Sequence, residues 1–184
     1  GNALQEKGDL NSAIDSYQHA INLNPDYQEA HYNLGNALQE KGDLNSAIDS
    51  YQHAINLNPD YQEAHYNLGN ALQEKGDLNS AIDSYQNAIK IQPDYQNAHN
   101  NLGTALQENG DLNSAILSFQ KALKIKPDFA QAHNNLGNLL QEQNRFDDAE
   151  TSFRQALSLN PNFAEVHGNL GNTLKELGKL DEAL

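Results

Sequence analysis

The sequence predicts an all-α protein, a solenoid in which antiparallel helix pairs stack in series. Three observations support this prediction. A repeat of 34 residues runs through the chain, apolar residues recur within it at helical spacing, and residues that end helices stand at fixed positions. A solenoid also fits a hydrophobic content of only 38%, because each layer buries a narrow apolar stripe.

The repeats predict a single domain over residues 1–184. The first two repeats are identical in sequence, and the later ones diverge progressively. The complete repeats are 1–34, 35–68, 69–102, 103–136 and 137–170, and a partial repeat covers 171–184.

Two helices are expected in each repeat. Asp60 is expected to cap the first helix, with Glu63 completing a capping box. Asp77 is expected to cap the second helix, and Pro93 cannot continue it. Between the two helices we expect a residue in the left-handed conformation, which glycine and asparagine tolerate best. These turn residues are Gly8, Gly42, Gly76, Gly110, Asn144 and Gly178.

A further glycine lies inside the first helix of each repeat, where it costs about 1 kcal/mol relative to alanine. We expect close approach of the partner helix to offset this cost, at a column of small residues. That column contains Ala47, Ala81, Ala115 and Ala149. A column of aromatic residues is expected to fill the space between adjacent helix pairs. Its members are Tyr17, Tyr51, Tyr85, Phe119 and Phe153.

The order Asn-Leu-Gly, alanine, aromatic residue, alanine and proline at this period resembles the tetratricopeptide repeat. The resemblance covers the whole chain. It implies a right-handed superhelix whose first helices line a concave groove, where peptides or partner domains bind. The string NLGNALQEKG is also similar to repeats in the arm of O-linked N-acetylglucosamine transferases.

Charge and composition exclude several classes of partner. With a net charge of -14 the chain should bind neither nucleic acid nor an anionic membrane surface, and a basic or neutral protein fits better. There is no cysteine, so no cysteine-based zinc site is possible. The sequence shows no membrane-spanning stretch and no secretory signal, which favours a cytoplasmic protein.

A column of histidines replaces the large aromatic residue that the tetratricopeptide family usually has at this position. It contains His31, His65, His99, His133 and His167. Successive members should lie about 10 Å apart, too far to share a zinc ion. We therefore expect these side chains to fill space between helices, with linkage of stability to pH and metal binding as alternatives. No cofactor is expected.

Polar columns on the first helices form the candidate partner-binding surface. Asparagines on either side of Leu-Gly share a helix face, and their amides can bond a peptide backbone. The similar transferase arm implies the same use. Glutamates one turn later should select basic side chains, and two tyrosines could anchor an apolar one. The candidates are Tyr32, Asn33, Asn36, Glu40, Tyr66, Asn67, Asn70, Glu74, Asn101, Glu108, Asn135, Asn138, Glu142 and Asn169.

The predicted function is a non-catalytic protein–protein interaction scaffold that binds an extended peptide or a partner domain. Its carboxylates recur from repeat to repeat, whereas a catalytic site is normally unique, and no catalytic motif is present. Two alternatives remain open. The chain could be the substrate-recruiting arm of a larger enzyme, such as a glycosyltransferase. It could also self-associate head to tail, because Gly1 and Leu184 fall within repeats and should leave apolar faces open.

Overall fold

The structure, a computed structural model, describes residues 9–179. This part of the chain forms ten α-helices and no strand. The helices belong to two compact units that divide after Pro93. The prediction of an all-α fold made of helix pairs is confirmed. The interpretation of residues 1–184 as one domain stays a prediction.

Unit 1 contains α1 (Leu10–Leu23), α2 (Gln28–Glu40), α3 (Leu44–Leu57), α4 (Gln62–Lys75) and α5 (Leu78–Ile91). Unit 2 contains α6 (Gln96–Glu108), α7 (Leu112–Ile125), α8 (Ala130–Glu142), α9 (Phe146–Leu159) and α10 (Ala164–Glu176). Within each unit, every helix packs against the next one along the chain. The even-numbered helices are the first helices of the repeats, and they also contact one another, α2 with α4 in unit 1 and α8 with α6 and α10 in unit 2.

The turn between the paired helices has the predicted conformation. Gly76 adopts a φ of 86°, and Asn144 adopts a φ of 60°. After α4 the amide of Gly76 donates to the carbonyl of Gln73, and that of Asp77 donates to the carbonyl of Leu72, each at 2.9 Å. These bonds satisfy carbonyls at the helix end and aim the chain into the second helix. The predicted turn at Gly8 lies outside the described residues.

Helix capping follows the prediction at Asp77 and departs from it at Asp60. The side chain of Asp77 accepts a hydrogen bond from the amide of Ser80 at 3.2 Å. The predicted capping box of Asp60 and Glu63 is wrong: Tyr61 is the N-cap of α4, and no side chain caps this helix. The chain is still in a turn at Asp60, whose amide donates to the side chain of Asn58, so the helix begins too late for Asp60 to cap it.

The glycines inside the first helices make room for an aromatic ring. A methyl group placed on Gly69 would stand 2.6 Å from Cε1 of Tyr85, and one on Gly103 would stand 2.6 Å from Cε1 of Phe119. We expected the partner helix to approach these glycines at the alanine column. The atoms nearest to them belong to the aromatic ring instead, so this expectation is wrong. The expectation that the rings lie between adjacent pairs is also wrong, because each ring fills space within its own pair. The alanines, such as Ala81, are fully buried.

The histidine column is only partly buried. His31 and His99 are buried, His65 and His133 are half-buried, and His167 is exposed. The ring Nε2–H of each of His31, His65, His133 and His167 donates to the proline carbonyl six residues earlier, for example from His65 to Pro59 at 3.0 Å. These hydrogen bonds link the start of the first helix to the preceding turn. The buried and half-buried histidine rings also fill space, as expected.

Two further predictions concern the ends of the chain and membrane-spanning stretches. The ends at Gly1 and Leu184, on which head-to-tail association was expected to depend, lie outside residues 9–179. Within that range, every helix is too short or too polar to cross a lipid bilayer.

Candidate partner-binding face

All fourteen candidate residues lie on the even-numbered helices. We call the candidate residues of each unit, taken together, the ladder face of that unit. Its asparagines and tyrosines are half-buried, whereas its glutamates are exposed. The exposed members are Glu40, Glu74, Glu108 and Glu142.

In unit 1 the half-buried polar groups bond to one another. The amide nitrogen of Asn67 donates to the hydroxyl of Tyr32 at 3.0 Å and to Oδ1 of Asn36 at 2.9 Å. Tyr51 donates its hydroxyl to the same Oδ1 of Asn36, also at 2.9 Å. Both amide hydrogens of Asn67 are therefore directed at groups of the preceding first helix, α2.

In unit 2 the corresponding network is built from amides and a carboxylate. Asn169 donates to Oδ1 of Asn138 at 2.8 Å and to Oδ1 of Asn134 at 3.3 Å. Asn134 is fully buried, and its own nitrogen donates to Glu165 at 3.0 Å. An amide without these partners would be costly to bury, so the network explains how asparagine is accommodated there.

The sequence analysis missed three participants in these contacts. Asn134 was not among the candidates, although asparagine replaces the tyrosine of this column at positions 100 and 134, which was a signal. Gln39 donates to Glu74 of the next repeat at 3.2 Å, and Gln107 donates to Glu142 at 2.9 Å. The sequence feature that could have indicated Gln39 and Gln107 was the Gln-Glu pair, which recurs in successive repeats.

Three tyrosine rings of unit 1 lie against one another. The ring centroid of Tyr32 lies 5.0 Å from that of Tyr61 and 6.1 Å from that of Tyr51. Burial raises the pKa of Tyr51 and of Tyr32. Burial, and then the neighbouring Tyr32, Glu63 and Glu29, raise the pKa of Tyr61 to about 12. The phenols therefore stay neutral and can act as hydrogen-bond donors and acceptors across the physiological pH range.

Metal binding has no support from the geometry. Among residues 9–179, no three histidine, aspartate or glutamate side chains are placed so that they could hold a metal ion. The carboxylates of the ladder face instead recur one per repeat and stand in solvent. Such an arrangement suits contacts spread along a partner.

The comparisons with known proteins agree with this geometry. The family described as the cilia and flagella-associated protein 70 C-terminal domain matches residues 1–184. No curated protein sequence matches the chain. The resemblance to O-linked N-acetylglucosamine transferases therefore stays a prediction.

Among solved structures, the chain is similar to MamA, with 30% identity, a TM-score of 0.83 and coverage of 90% of this chain and 96% of MamA. It shares its fold with YrrB, a tetratricopeptide protein with an unusual peptide-binding site, at 23% identity and a TM-score of 0.75, covering 93% of this chain and 88% of YrrB. It also shares its fold with pilF of Pseudomonas aeruginosa, at 17% identity and a TM-score of 0.87, covering 100% and 83%.

Proteins of this fold generally mediate protein–protein interactions and are typically non-catalytic scaffolds. The family match extends over every repeat of the chain, and the helix pairs have the tetratricopeptide arrangement. The chain belongs to the tetratricopeptide-type family of the cilia and flagella-associated protein 70 C-terminal domain.

Proposed function

We propose that this chain is a non-catalytic interaction scaffold that binds an extended peptide segment, basic in preference to neutral, along the ladder face of a unit. The observation that carries the proposal is the exposed glutamate that recurs once per repeat on the even-numbered helices of each unit. Unit 1 has Glu40 and Glu74, and unit 2 has Glu108 and Glu142. Gln39 bonds one oxygen of Glu74, and Gln107 bonds one oxygen of Glu142, so two of these carboxylates are oriented before a partner arrives. Preorganised groups lose less conformational freedom on binding.

The asparagines have a different part in this proposal from the one that the sequence suggested. The predicted contact of Asn67, Asn101 and Asn135 with a peptide backbone stays a prediction. Asn67 directs both amide hydrogens at Tyr32 and Asn36, and Asn135 donates to Asn100. We assign these amides to holding neighbouring first helices in register, which leaves the carboxylates as the main source of selectivity.

Two further facts support a peptide partner. YrrB has a peptide-binding site on the same fold, so this fold can accommodate a peptide. The net charge of -14 would accelerate encounter with a basic segment. A basic partner also needs no pocket, because its side chains can pair with carboxylates that face solvent.

The test uses a capped dodecapeptide of alternating alanine and lysine, labelled with a fluorophore, and a matched peptide of alanine and glutamine. A double variant, Glu40→Gln with Glu74→Gln, should weaken the lysine peptide by about two- to tenfold, as expected for the loss of two exposed ion pairs. The matched control is Asp49→Asn with Asp83→Asn. It removes the same charge from exposed positions on α3 and α5.

Binding should be measured at low and high salt, because exposed ion pairs are screened. Equal weakening by the two double variants would mean that the peptide senses only net charge, and the proposal would be wrong. The proposal would also be contradicted if the glutamine peptide bound as tightly as the lysine peptide and neither double variant weakened the binding.

A further inference from the structure

A cluster of two tyrosines and two glutamates lies where α2 and α4 begin in unit 1. Tyr32, on α2, has its ring centroid 5.0 Å from that of Tyr61, and the ring planes meet at 45°. Glu29 lies in the first turn of α2, and Glu63 lies in the first turn of α4. We call these four residues the tyrosine–carboxylate cluster.

The two carboxylates act electrostatically on the two phenols. After burial, Glu63 contributes to the raised pKa of Tyr32, and both Glu63 and Glu29 contribute to the raised pKa of Tyr61. Glu29 and Tyr32 are three residues apart on α2 and are therefore neighbours on one helix face. Glu63 follows Tyr61, the N-cap of α4, by two residues. Both glutamates also lie at helix N-termini, where the helix dipole favours negative charge. The cluster is therefore a persistently negative surface with two aromatic faces.

The described part of the chain supplies no cation to this cluster. Neither Glu29 nor Glu63 forms an ion pair within residues 9–179, and Glu63 accepts only a hydrogen bond from its neighbour Gln62, at 3.1 Å. Lys41 and Lys75 stand at the opposite ends of α2 and α4, about 18 Å away along each helix. The negative charge is thus open to a cation from outside.

The equivalent glutamate of unit 2 has a different hydrogen-bond partner. Asn134 and Glu165 occupy the repeat positions of Tyr32 and Glu63. The buried amide of Asn134 donates to Glu165 at 3.0 Å. In unit 1 a phenol replaces this amide, so a ring face stands where unit 2 has an internal donor. The combination of two tyrosines with a glutamate lacking such a donor is a feature of unit 1.

We propose that the tyrosine–carboxylate cluster is the subsite at which the ladder face accepts a cationic side chain of its peptide partner, arginine in preference to lysine. The inference rests on the proposed function and adds to it the chemistry of one partner residue. A cation is attracted to the face of a tyrosine ring within about 6 Å of its centroid. The planar guanidinium can stack on such a ring while it donates to a carboxylate through two parallel hydrogen bonds.

The test uses a capped heptapeptide with one arginine among glycines and serines, and a matched heptapeptide with citrulline, which has the same shape and no charge. Titrations are followed by NMR of the tyrosine rings. The arginine peptide should shift the Tyr32 and Tyr61 signals and bind at least about fivefold more tightly than the citrulline peptide. Glu63→Gln and Tyr61→Leu should each weaken it by about three- to tenfold. A lysine heptapeptide should bind more weakly than the arginine peptide.

The matched control is Glu165→Gln in unit 2, which removes the same charge from the same repeat position and should leave arginine binding unchanged. Equal binding of the arginine and citrulline peptides would overturn the inference, as would equal losses in Glu63→Gln and Glu165→Gln. If the lysine dodecapeptide still depends on Glu40 and Glu74 while the arginine heptapeptide ignores the cluster, this inference fails and the proposed function stands. If arginine binds the cluster while the dodecapeptide ignores Glu40 and Glu74, the ladder-face proposal alone fails.

Discussion

In unit 1 the rings that fill the helix pairs α2–α3 and α4–α5 belong to tyrosines, whereas in unit 2 the rings of α7 and α9 belong to phenylalanines. The distance from a methyl group on the facing glycine to the ring edge is 2.6 Å in both units, for Tyr85 and for Phe119. The Tyr85 hydroxyl also lies 2.9 Å from the side-chain oxygens of Asn70 and of Gln73, which share its one hydrogen. The comparison separates two contributions: the ring determines how closely the helices pack, and the hydroxyl adds polar contacts.

The second difference concerns the column that begins with Tyr32. In unit 1 this position holds a phenol that lies against other tyrosine rings. In unit 2 it holds Asn134, which is fully buried and bonds to Glu165 and Asn169. The same backbone position is thus a ring surface in one unit and an internal amide in the other. Two units built from one repeat can therefore offer different chemistry to a partner.

The largest expected effect tests whether the ring contact is the same in both units. Gly69→Ala should lower the free energy of unfolding by about 1–3 kcal/mol, because the new methyl group must displace a fully buried ring. Gly103→Ala should have a similar effect, because the ring of Phe119 stands at the same distance. Urea denaturation followed by circular dichroism measures both changes.

Gly168→Ala is the control for these substitutions. No atom lies within 4 Å of a methyl group at Gly168, so the better helix propensity of alanine should raise stability by up to about 1 kcal/mol. If all three variants changed stability in the same direction, contact with the ring would not be the reason for the glycines.

The second effect tests the buried amide of unit 2 against the phenol of unit 1. Asn134→Ala should lower the free energy of unfolding by about 1–3 kcal/mol, because it removes the donor to Glu165 and one of the two acceptors of Asn169, and opens a small cavity. Tyr32→Phe keeps the ring and loses only the hydroxyl that accepts from Asn67, so its cost should be about 0.5–1.5 kcal/mol. Equal costs in thermal or urea denaturation would contradict the proposed difference in burial.

The third effect exchanges the hydroxyl between the units. Tyr85→Phe should cost about 1 kcal/mol, because Asn70 and Gln73 lose a donor. Phe153→Tyr should raise the free energy of unfolding by part of this amount, since Asn138 and Gln141 of unit 2 stand at the repeat positions of Asn70 and Gln73. Phe119→Tyr should gain less, because Thr104 replaces the asparagine there. Parallel urea titrations of the three variants check this order.

The smallest effect concerns the ion-paired Glu150 of unit 2. Lys179, at 2.6 Å, and then Arg154 lower the pKa of Glu150 below its ordinary 4.5. A lowered folded pKa stabilises the protein above the unfolded value and loses this contribution as the pH falls through the folded pKa. Glu150→Gln should therefore cost about 0.5 kcal/mol at neutral pH and nothing in strong acid.

Denaturation at a series of pH values measures this change. Lys179→Gln removes one of the two cations and should reproduce part of it. A loss in Glu150→Gln that persists unchanged at low pH would show that packing, and not the ion pair, is responsible.

Local sequence predicted the elements whose cause is itself local. Asp77 caps its helix because the acceptor and the amide of Ser80 are three residues apart, and Gly76 and Asn144 turn the chain because few residues tolerate a positive φ. The predicted capping box at Asp60 was wrong because two local signals compete at this position. The turn at Asn58 delays the helix by one residue, and propensities alone do not rank such alternatives.

The candidate face was predicted as a set of positions, and its hydrogen-bond partners were not. All fourteen candidates lie on the predicted helices, because helical periodicity assigns a face to every residue. That Asn67 bonds Tyr32 and Asn36 depends on the distance between α2 and α4, which is established only when the two helices pack.

The sequence by itself therefore determined the repeat, the helix pairs, the turns and the negative charge of this protein, because each follows from residue type and spacing. Only the tertiary structure decided which amides are already bonded, that Asn134 is buried, and that the rings of Tyr32 and Tyr61 lie against each other. The physical reason is that these properties belong to pairs of side chains from different repeats, and their distances exist only after the helices have packed.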